Sequence, residues 1–212
     1  MEPVEIPPAP DPDPVSDPLS LAVVAEVVER GYQSVAVEDV TFRAGLTVAE
    51  FHSRYTDLDD CVLDTYERLI AAFQRRSGAA FNRHADWRTA LRAAAYVAAD
   101  WLEQYPDAVE FGTSEVLRMN NEMARVRREE VFVWCAQMID RGREAAPDPE
   151  AVPEAAAMIA IGSILQLLTH RWQEGAEIRP YDSARESIYG VVLTYLGEDA
   201  AREELHLPRP EP

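Results

Sequence analysis

Six polar side chains between residues 43 and 54 are of the types that contact nucleic acid. Arginine binds phosphate, while hydroxyl, imidazole and carboxylate groups exchange hydrogen bonds with phosphates or with base edges in the major groove. One arginine directly precedes the stretch AGLTVAEFHSRY, and the other five residues follow its Ala-Gly turn. The six residues are Arg43, Thr47, Glu50, His52, Ser53 and Arg54.

Several of these side chains also have an ordinary structural interpretation. Thr47 and Glu50 have the spacing of a capping box, in which each side chain bonds the other's backbone N–H. Glu50 could instead accept a hydrogen bond from a cytosine amine in the major groove. Arg43 and Arg54 can pair with nearby acids, and His52 can pack on the surface. The sequence leaves these alternatives open.

Three short helices are needed to position these residues. The first is predicted over residues 19–32, between Pro18 and the helix-ending Gly31, and the second turns at Gly45. Packing of the three helices would leave the outer face of residues 47–54 exposed. The predicted core of this module consists of Val24, Val27, Val28, Val37, Val40, Leu46, Phe51 and Tyr55.

The pattern ERGYQSVAVEDVTFRAGLTVAEFHSRY, followed by a long helix, resembles the TetR family of bacterial transcriptional regulators. The resemblance covers residues 19–66 and depends on Glu29-Arg30-Gly31-Tyr32, Val37, Asp39, Val40, Arg43-Ala44-Gly45, Phe51 and Tyr55. It implies a homodimer that binds double-stranded DNA and responds to a small apolar or amphipathic effector.

The sequence departs from this family where the family has phosphate contacts. Val35, Ala49-Glu50, His52 and Leu58 stand where the family usually has Thr, Gly-Thr, Tyr and Lys. Residues 1–60 hold three arginines against thirteen carboxylates, a formal charge of −10. Because cationic contacts to phosphate supply much of the affinity for DNA, we expect a folded module that binds DNA weakly. The alternative is an interaction protein that keeps the fold without operator binding.

The rest of the chain is predicted to be all-α, with about nine helices in total from the apolar periodicity. Proline and acidic residues dominate residues 1–18, which predicts a disordered acidic tail. The predicted organisation continues with a helix-turn-helix domain over 19–60, a helical ligand-binding and dimerisation domain over 61–198, and a tail over 199–212.

Two sets of apolar residues are candidates for the ligand and the dimer contacts. The family resemblance implies an effector cavity, although such aromatic and methionine stripes are more often core. The candidate ligand residues are Trp101, Phe111, Met123, Trp134 and Met138. The stretch AAAMIAIGSILQLLTHRW is apolar nearly all round, which predicts a buried dimer helix. The candidate interface residues are Ile161, Ile164, Leu165, Leu168, Ile188, Val192 and Tyr195.

Composition limits the other classes of function. The net charge is −18, which disfavours nucleic acid and anionic membranes unless the arginines gather on one face. Cys61 and Cys135 belong to no metal-binding motif, and the four scattered histidines form no catalytic motif. We therefore expect a cytoplasmic protein without enzymatic activity, cofactor or metal.

Overall fold

The computed structural model describes residues 1–173 and 179–210, and every regular element in them is helical. The all-α prediction is therefore confirmed, with α7 and α11 added to the predicted set. Short 3-10 turns span Tyr32–Ser34 and Arg141–Ala145, and a π-helical turn spans Phe111–Glu115. The α-helices are α1 Pro18–Arg30, α2 Val37–Ala44, α3 Val48–His52, α4 Leu58–Asn82, α5 Trp87–Gln104, α6 Pro106–Glu110, α7 Val116–Arg118, α8 Glu122–Asp140, α9 Ala156–Gln173, α10 Pro180–Leu196 and α11 Glu198–Glu204.

Local signals set the ends of the first helices. The Asp17 carboxylate accepts a hydrogen bond from the backbone N–H of Ser20, and Pro18 occupies the first turn, where its missing N–H costs nothing. Gly31 ends α1 with φ 77° and Gly45 ends α2 in the left-handed region with φ 68°. Both values favour glycine, because a side chain there would strain the backbone.

The chain divides into two compact units. The N-terminal unit comprises residues 7–73 and 105–129, and the C-terminal unit comprises residues 1–6, 74–104 and 130 onward. Helix α4 contributes its first part to one unit and its last part to the other. This division differs from the predicted boundary at residue 60, because residues 106–115 pack against α1 within the N-terminal unit. Residues 174–178 of the predicted second domain lie outside the described residues.

The N-terminal unit is built on the predicted apolar set. Val27, Val40 and Phe51 have no exposed surface, and α1 packs against α2. Val28, Val37, Leu46 and Tyr55 are half-buried at the edge of this core. Burial of an aromatic and several valines stabilises the three short helices, which are too short to persist alone.

The C-terminal unit is organised around α5, α10 and α11. The Trp87 indole packs against the Tyr195 ring, with centroids 5.3 Å apart, and donates a hydrogen bond to the Met138 carbonyl at 3.0 Å. In the part of the chain that the structure describes, no helix has the length and apolarity needed to cross a membrane.

Both predicted tails make ordered contacts in the structure. Val4 is buried, and its backbone N–H and carbonyl both bond the side chain of Asn82. Residues 198–204 form α11, with Ala201 and Glu204 buried. Composition counts prolines and acids and does not include such contacts with distant side chains, and the disorder of residues 1–18 stays a prediction. Residues 211 and 212 of the predicted C-terminal tail lie outside the residues that the structure describes.

Candidate nucleic-acid interface

Helix α3 is the candidate recognition helix, and a capping box begins it. The Thr47 hydroxyl accepts from the Glu50 backbone N–H at 3.2 Å, while a Glu50 carboxylate oxygen accepts from the Thr47 backbone N–H at 2.7 Å. The backbone hydrogen bond from Thr47 is the main reason that the pKa of Glu50 falls below its ordinary value. This geometry confirms the capping-box interpretation of the pair.

Arg43 is held within the protein by two carboxylates of α1. Its Nε donates to Glu26 at 2.6 Å and its Nη1 donates to Glu29 at 2.9 Å. The hydrogen bond from Arg43 lowers the pKa of the Glu29 carboxyl. A guanidinium with two carboxylate partners has little remaining attraction for a phosphate, so Arg43 is a poor candidate for a DNA contact.

The end of α3 carries the remaining polar candidates. His52, Ser53 and Arg54 are all exposed. The Ser53 hydroxyl donates to the Glu50 carbonyl at 2.7 Å, and the His52 ring lies edge-on to Phe51. Arg54 forms no ion pair among the described residues. Of the two candidate arginines, it is therefore the one that is available to a phosphate. All six predicted side chains thus belong to one unit, although they differ in availability.

Phe42 is a surface residue that the sequence interpretation missed. Its side chain is 89% exposed on α2, and Val48 at the start of α3 is 38% exposed. Exposed acidic Glu38 lies one helical turn before Phe42. The signal was present in the periodicity, because residues 38 and 42 share the face opposite buried Val40. An exposed phenylalanine one helical turn from a carboxylate is unusual for a surface that binds a polyanion.

The candidate ligand residues fall into both units. Trp101, Trp134 and Met138 belong to the C-terminal unit, whereas Phe111 and Met123 belong to the N-terminal unit. Four of the five are buried, but Met123 is half exposed. The Arg76 guanidinium stacks over the Trp101 ring at 4.9 Å. The effector cavity that these residues were expected to line stays a prediction.

The candidate dimer residues differ in their burial within the single chain, and their contact with a second copy stays a prediction. Ile161, Ile188, Val192 and Tyr195 are buried within the C-terminal unit, so they contribute to the core of the chain itself. The three other candidates on α9, Ile164, Leu165 and Leu168, are half-buried.

A different face of α9 is exposed and apolar. Ile159 is 63% exposed, and Met158 and Leu167 are also exposed. These three residues lie on one open face of the helix, which Gly162, Ser163 and Gln166 share. Apolar spacing predicted that α9 lies in the dimer contact. Because apolar residues occur all round this helix, the sequence could not show which of its faces is covered within the chain.

The cysteines are free thiols in the structure. Burial raises the pKa of the Cys61 thiol and of the Cys135 thiol to about 12 in each case. Among the described residues there is no cluster of three or more histidine, cysteine or acidic side chains that could hold a metal ion.

Comparison with known proteins relates the chain to others only through its three-dimensional structure. No protein-family model matches the sequence, and no curated protein is similar to it. Solved structures do match. The fatty acid degradation regulator FadR from Bacillus halodurans superposes with a TM-score of 0.73 over 83% of this chain and 97% of that one, at 14% identity.

Two further structures have the same architecture. FadR from Bacillus subtilis, solved in complex with stearoyl-CoA, has a TM-score of 0.67 at 16% identity over 85% of this chain and 97% of its own. A TetR-family transcription regulator from Marinobacter aquaeolei VT8 has a TM-score of 0.60 at 18% identity over 85% and 96% of the two chains. The chain therefore has a TetR-like fold, as the resemblance of residues 19–66 predicted.

Proposed function

We propose that the chain is a homodimeric transcriptional regulator that binds DNA weakly and responds to an apolar or amphipathic effector. The observation that carries the proposal is the outward face of α3, where Thr47, His52, Ser53 and Arg54 are exposed above a buried Phe51. This arrangement is the one with which helix-turn-helix proteins present a recognition helix to the major groove. The TetR-like fold supports the same function.

Weak binding is expected from the charges around α3. Arg43 is engaged by Glu26 and Glu29, so Arg54 is the main phosphate contact of each module. Glu50 keeps its negative charge at neutral pH, since its hydrogen bonds from Thr47 lower its pKa. One cation facing several carboxylates provides little counterion release on binding, and counterion release supplies most non-specific affinity.

The second copy is proposed to cover the exposed face of α9. Ile159, Met158 and Leu167 are large apolar side chains exposed on one helix, and exposed apolar surface of this kind is typical of a contact between copies. A two-fold axis would pair each α9 with its counterpart and place two recognition helices at fixed spacing.

The effector is proposed to be apolar or amphipathic. The FadR protein from Bacillus subtilis was solved with stearoyl-CoA, and this amphipathic molecule is a suitable probe for a chain of the same fold. Buried Trp101 and Met138 are the first positions to substitute in the C-terminal unit. An effector can regulate DNA binding only if it binds the two states of the dimer with different affinity.

The test is a titration of the full chain against duplex DNA from its own upstream region at low salt, with and without stearoyl-CoA. We expect weak binding that salt abolishes and that stearoyl-CoA changes at least about fivefold, since allosteric couplings of 1–3 kcal/mol correspond to roughly 5–150-fold. No binding at the lowest salt would reject the DNA-binding part of the proposal.

A second candidate function is favoured by Phe42. A module with an 89% exposed phenylalanine beside Glu38 has the chemistry of a surface that binds a basic protein segment. Under this alternative the chain is an interaction protein with no operator. Substitution of Phe42 by serine separates the two functions, because it removes the apolar anchor and leaves Arg54 unchanged.

A further inference from the structure

The first six residues of the chain, here named the N-terminal strap, belong to the C-terminal unit and form no helix. Val4 is 5% exposed, Glu5 is exposed and Ile6 is half-buried. This alternation of burial is the one that an extended segment shows, in which the side chains of residues 4 and 6 face the protein together. The strap therefore has the pattern of a peptide lying in a groove.

Two side chains of the helices bind the main chain of the strap. The Asn82 amide accepts from the Val4 N–H and donates to the Val4 carbonyl, both at 2.9 Å. The Trp134 indole N–H donates to the Glu5 carbonyl at 2.9 Å. Peptide-binding proteins use main-chain hydrogen bonds for affinity and side-chain pockets for specificity. Here the Asn82 side chain bonds both the N–H and the carbonyl of Val4, as the backbone of a neighbouring strand would.

Gly78 provides the room that the strap needs. A Cβ atom added at Gly78 would lie 3.2 Å from Ile6 Cγ1 and 3.1 Å from Trp134 Cζ2. Both distances are tighter than ordinary van der Waals contact, so a larger residue would push Ile6 or the indole aside. At the start of the strap, the Glu2 carboxylate lies 3.6 Å from the Arg141 guanidinium.

We propose that Gly78, Asn82, Trp134 and Arg141 form a peptide-docking groove whose occupant is the chain's own N-terminal strap. The groove selects an extended segment with an acid at its start and apolar side chains two residues apart, as in Glu2, Val4 and Ile6. Occupancy buries Val4 and holds the Glu2 carboxylate near the Arg141 guanidinium. Any segment with the same pattern competes with the strap and releases it.

The first test follows the Trp134 indole N–H by NMR in the full chain, with its signal assigned by Trp134→Phe. Asn82→Ala should shift this signal, because the strap loses two main-chain bonds and detaches. Gln33→Ala is the matched control, since it removes an exposed side-chain amide from the N-terminal unit. Deletion of residues 1–6 should shift the signal in the same direction as Asn82→Ala.

The second test adds a synthetic peptide of residues 1–8 to the chain that lacks residues 1–6. We expect the peptide to restore the full-length indole signal, and a Val4→Asp peptide to bind at least about tenfold more weakly because a buried charge replaces an apolar contact. Equal binding of the two peptides would overturn the proposed selectivity. If the truncated chain fails to fold, the Asn82→Ala comparison decides: an unmoved indole signal overturns the proposal.

Discussion

The Arg43 guanidinium lies 2.6 Å from a carboxylate oxygen of Glu26, a residue of α1 that is almost fully buried. A buried carboxylate requires a partner, because desolvation without one costs several kcal/mol. Glu26 obtains two partners, Arg43 and Arg30. The arginine beside the helix-turn-helix turn therefore compensates an internal charge, and it is this contact that most reduces the expected attraction for DNA.

The first prediction concerns these arginines in DNA binding. With Arg54 as the main contact of each module, the salt slope of a dimer should be about −2, because each phosphate contact contributes about −0.9. Arg54→Ala should lower the affinity for duplex DNA at low salt about tenfold, whereas Arg43→Ala should change this affinity less than about threefold. Fluorescence anisotropy over a salt series measures both. A slope steeper than about −5 would show that other cations reach the phosphates.

The second prediction concerns the exposed face of α9. Ile159→Glu should convert the proposed dimer to monomer at micromolar concentration, since a charge would be buried against the second copy. Val126→Glu is the matched control, because Val126 is an exposed apolar residue on α8. Sedimentation velocity distinguishes the species. A wild-type chain that sediments as a monomer, or an Ile159→Glu chain that remains a dimer, would reject this interface.

The third prediction concerns the buried carboxylate of α11. Glu204 binds Arg88 at 2.7 Å and Arg92 at 2.6 Å with its two oxygens, and its side chain has no exposed surface. Glu204→Ala should destabilise the protein by about 3–5 kcal/mol, because two arginines lose their buried partner. Glu203→Ala removes a mostly exposed partner of Arg88 and should cost less than about 1 kcal/mol. Urea unfolding of the two variants measures the difference, and equal losses would contradict the prediction.

The fourth prediction concerns close packing at Gly142. A Cβ atom added there would lie 2.3 Å from Trp87 Cζ2, and the indole is fixed by its hydrogen bond to Met138. Gly142→Ala should therefore cost about 1–3 kcal/mol in thermal unfolding through overpacking. Gly112→Ala is the control, since its Cβ would meet the Tyr66 ring at an ordinary 3.5 Å. A neutral Gly142→Ala variant would show that the indole can move.

The fifth prediction concerns the pH dependence of the capping box. The folded-state pKa of Glu50 lies below its ordinary value of 4.5, so the ionised form stabilises the fold. This contribution is fully present above the unfolded-state pKa and is lost as the pH falls through the lowered folded-state pKa. Wild type should be more stable than Glu50→Gln at pH 7, and the difference should shrink as the pH falls below 4.5. A difference that is constant over this range would show that ionisation of Glu50 does not contribute.

Sequence alone determined the first three helices and how they begin and end. Asp17 and Pro18, Gly31 and Gly45 act through atoms within a few residues, and the capping box of Thr47 and Glu50 closes over a separation of three. Such signals can be predicted because both partners lie in the same short segment. The small apolar set of the first three helices was predictable for the same reason, since its members recur at helical spacing.

Only the tertiary structure decided which distant groups meet. Asn82 lies 78 residues from Val4, and Glu204 lies 116 residues from Arg88. Apolar spacing placed Val192 on a contact face, but it could not show whether α5 or a second copy covers that face. Local periodicity shows that a helix face must be buried, and the choice among possible partners depends on packing of the whole chain.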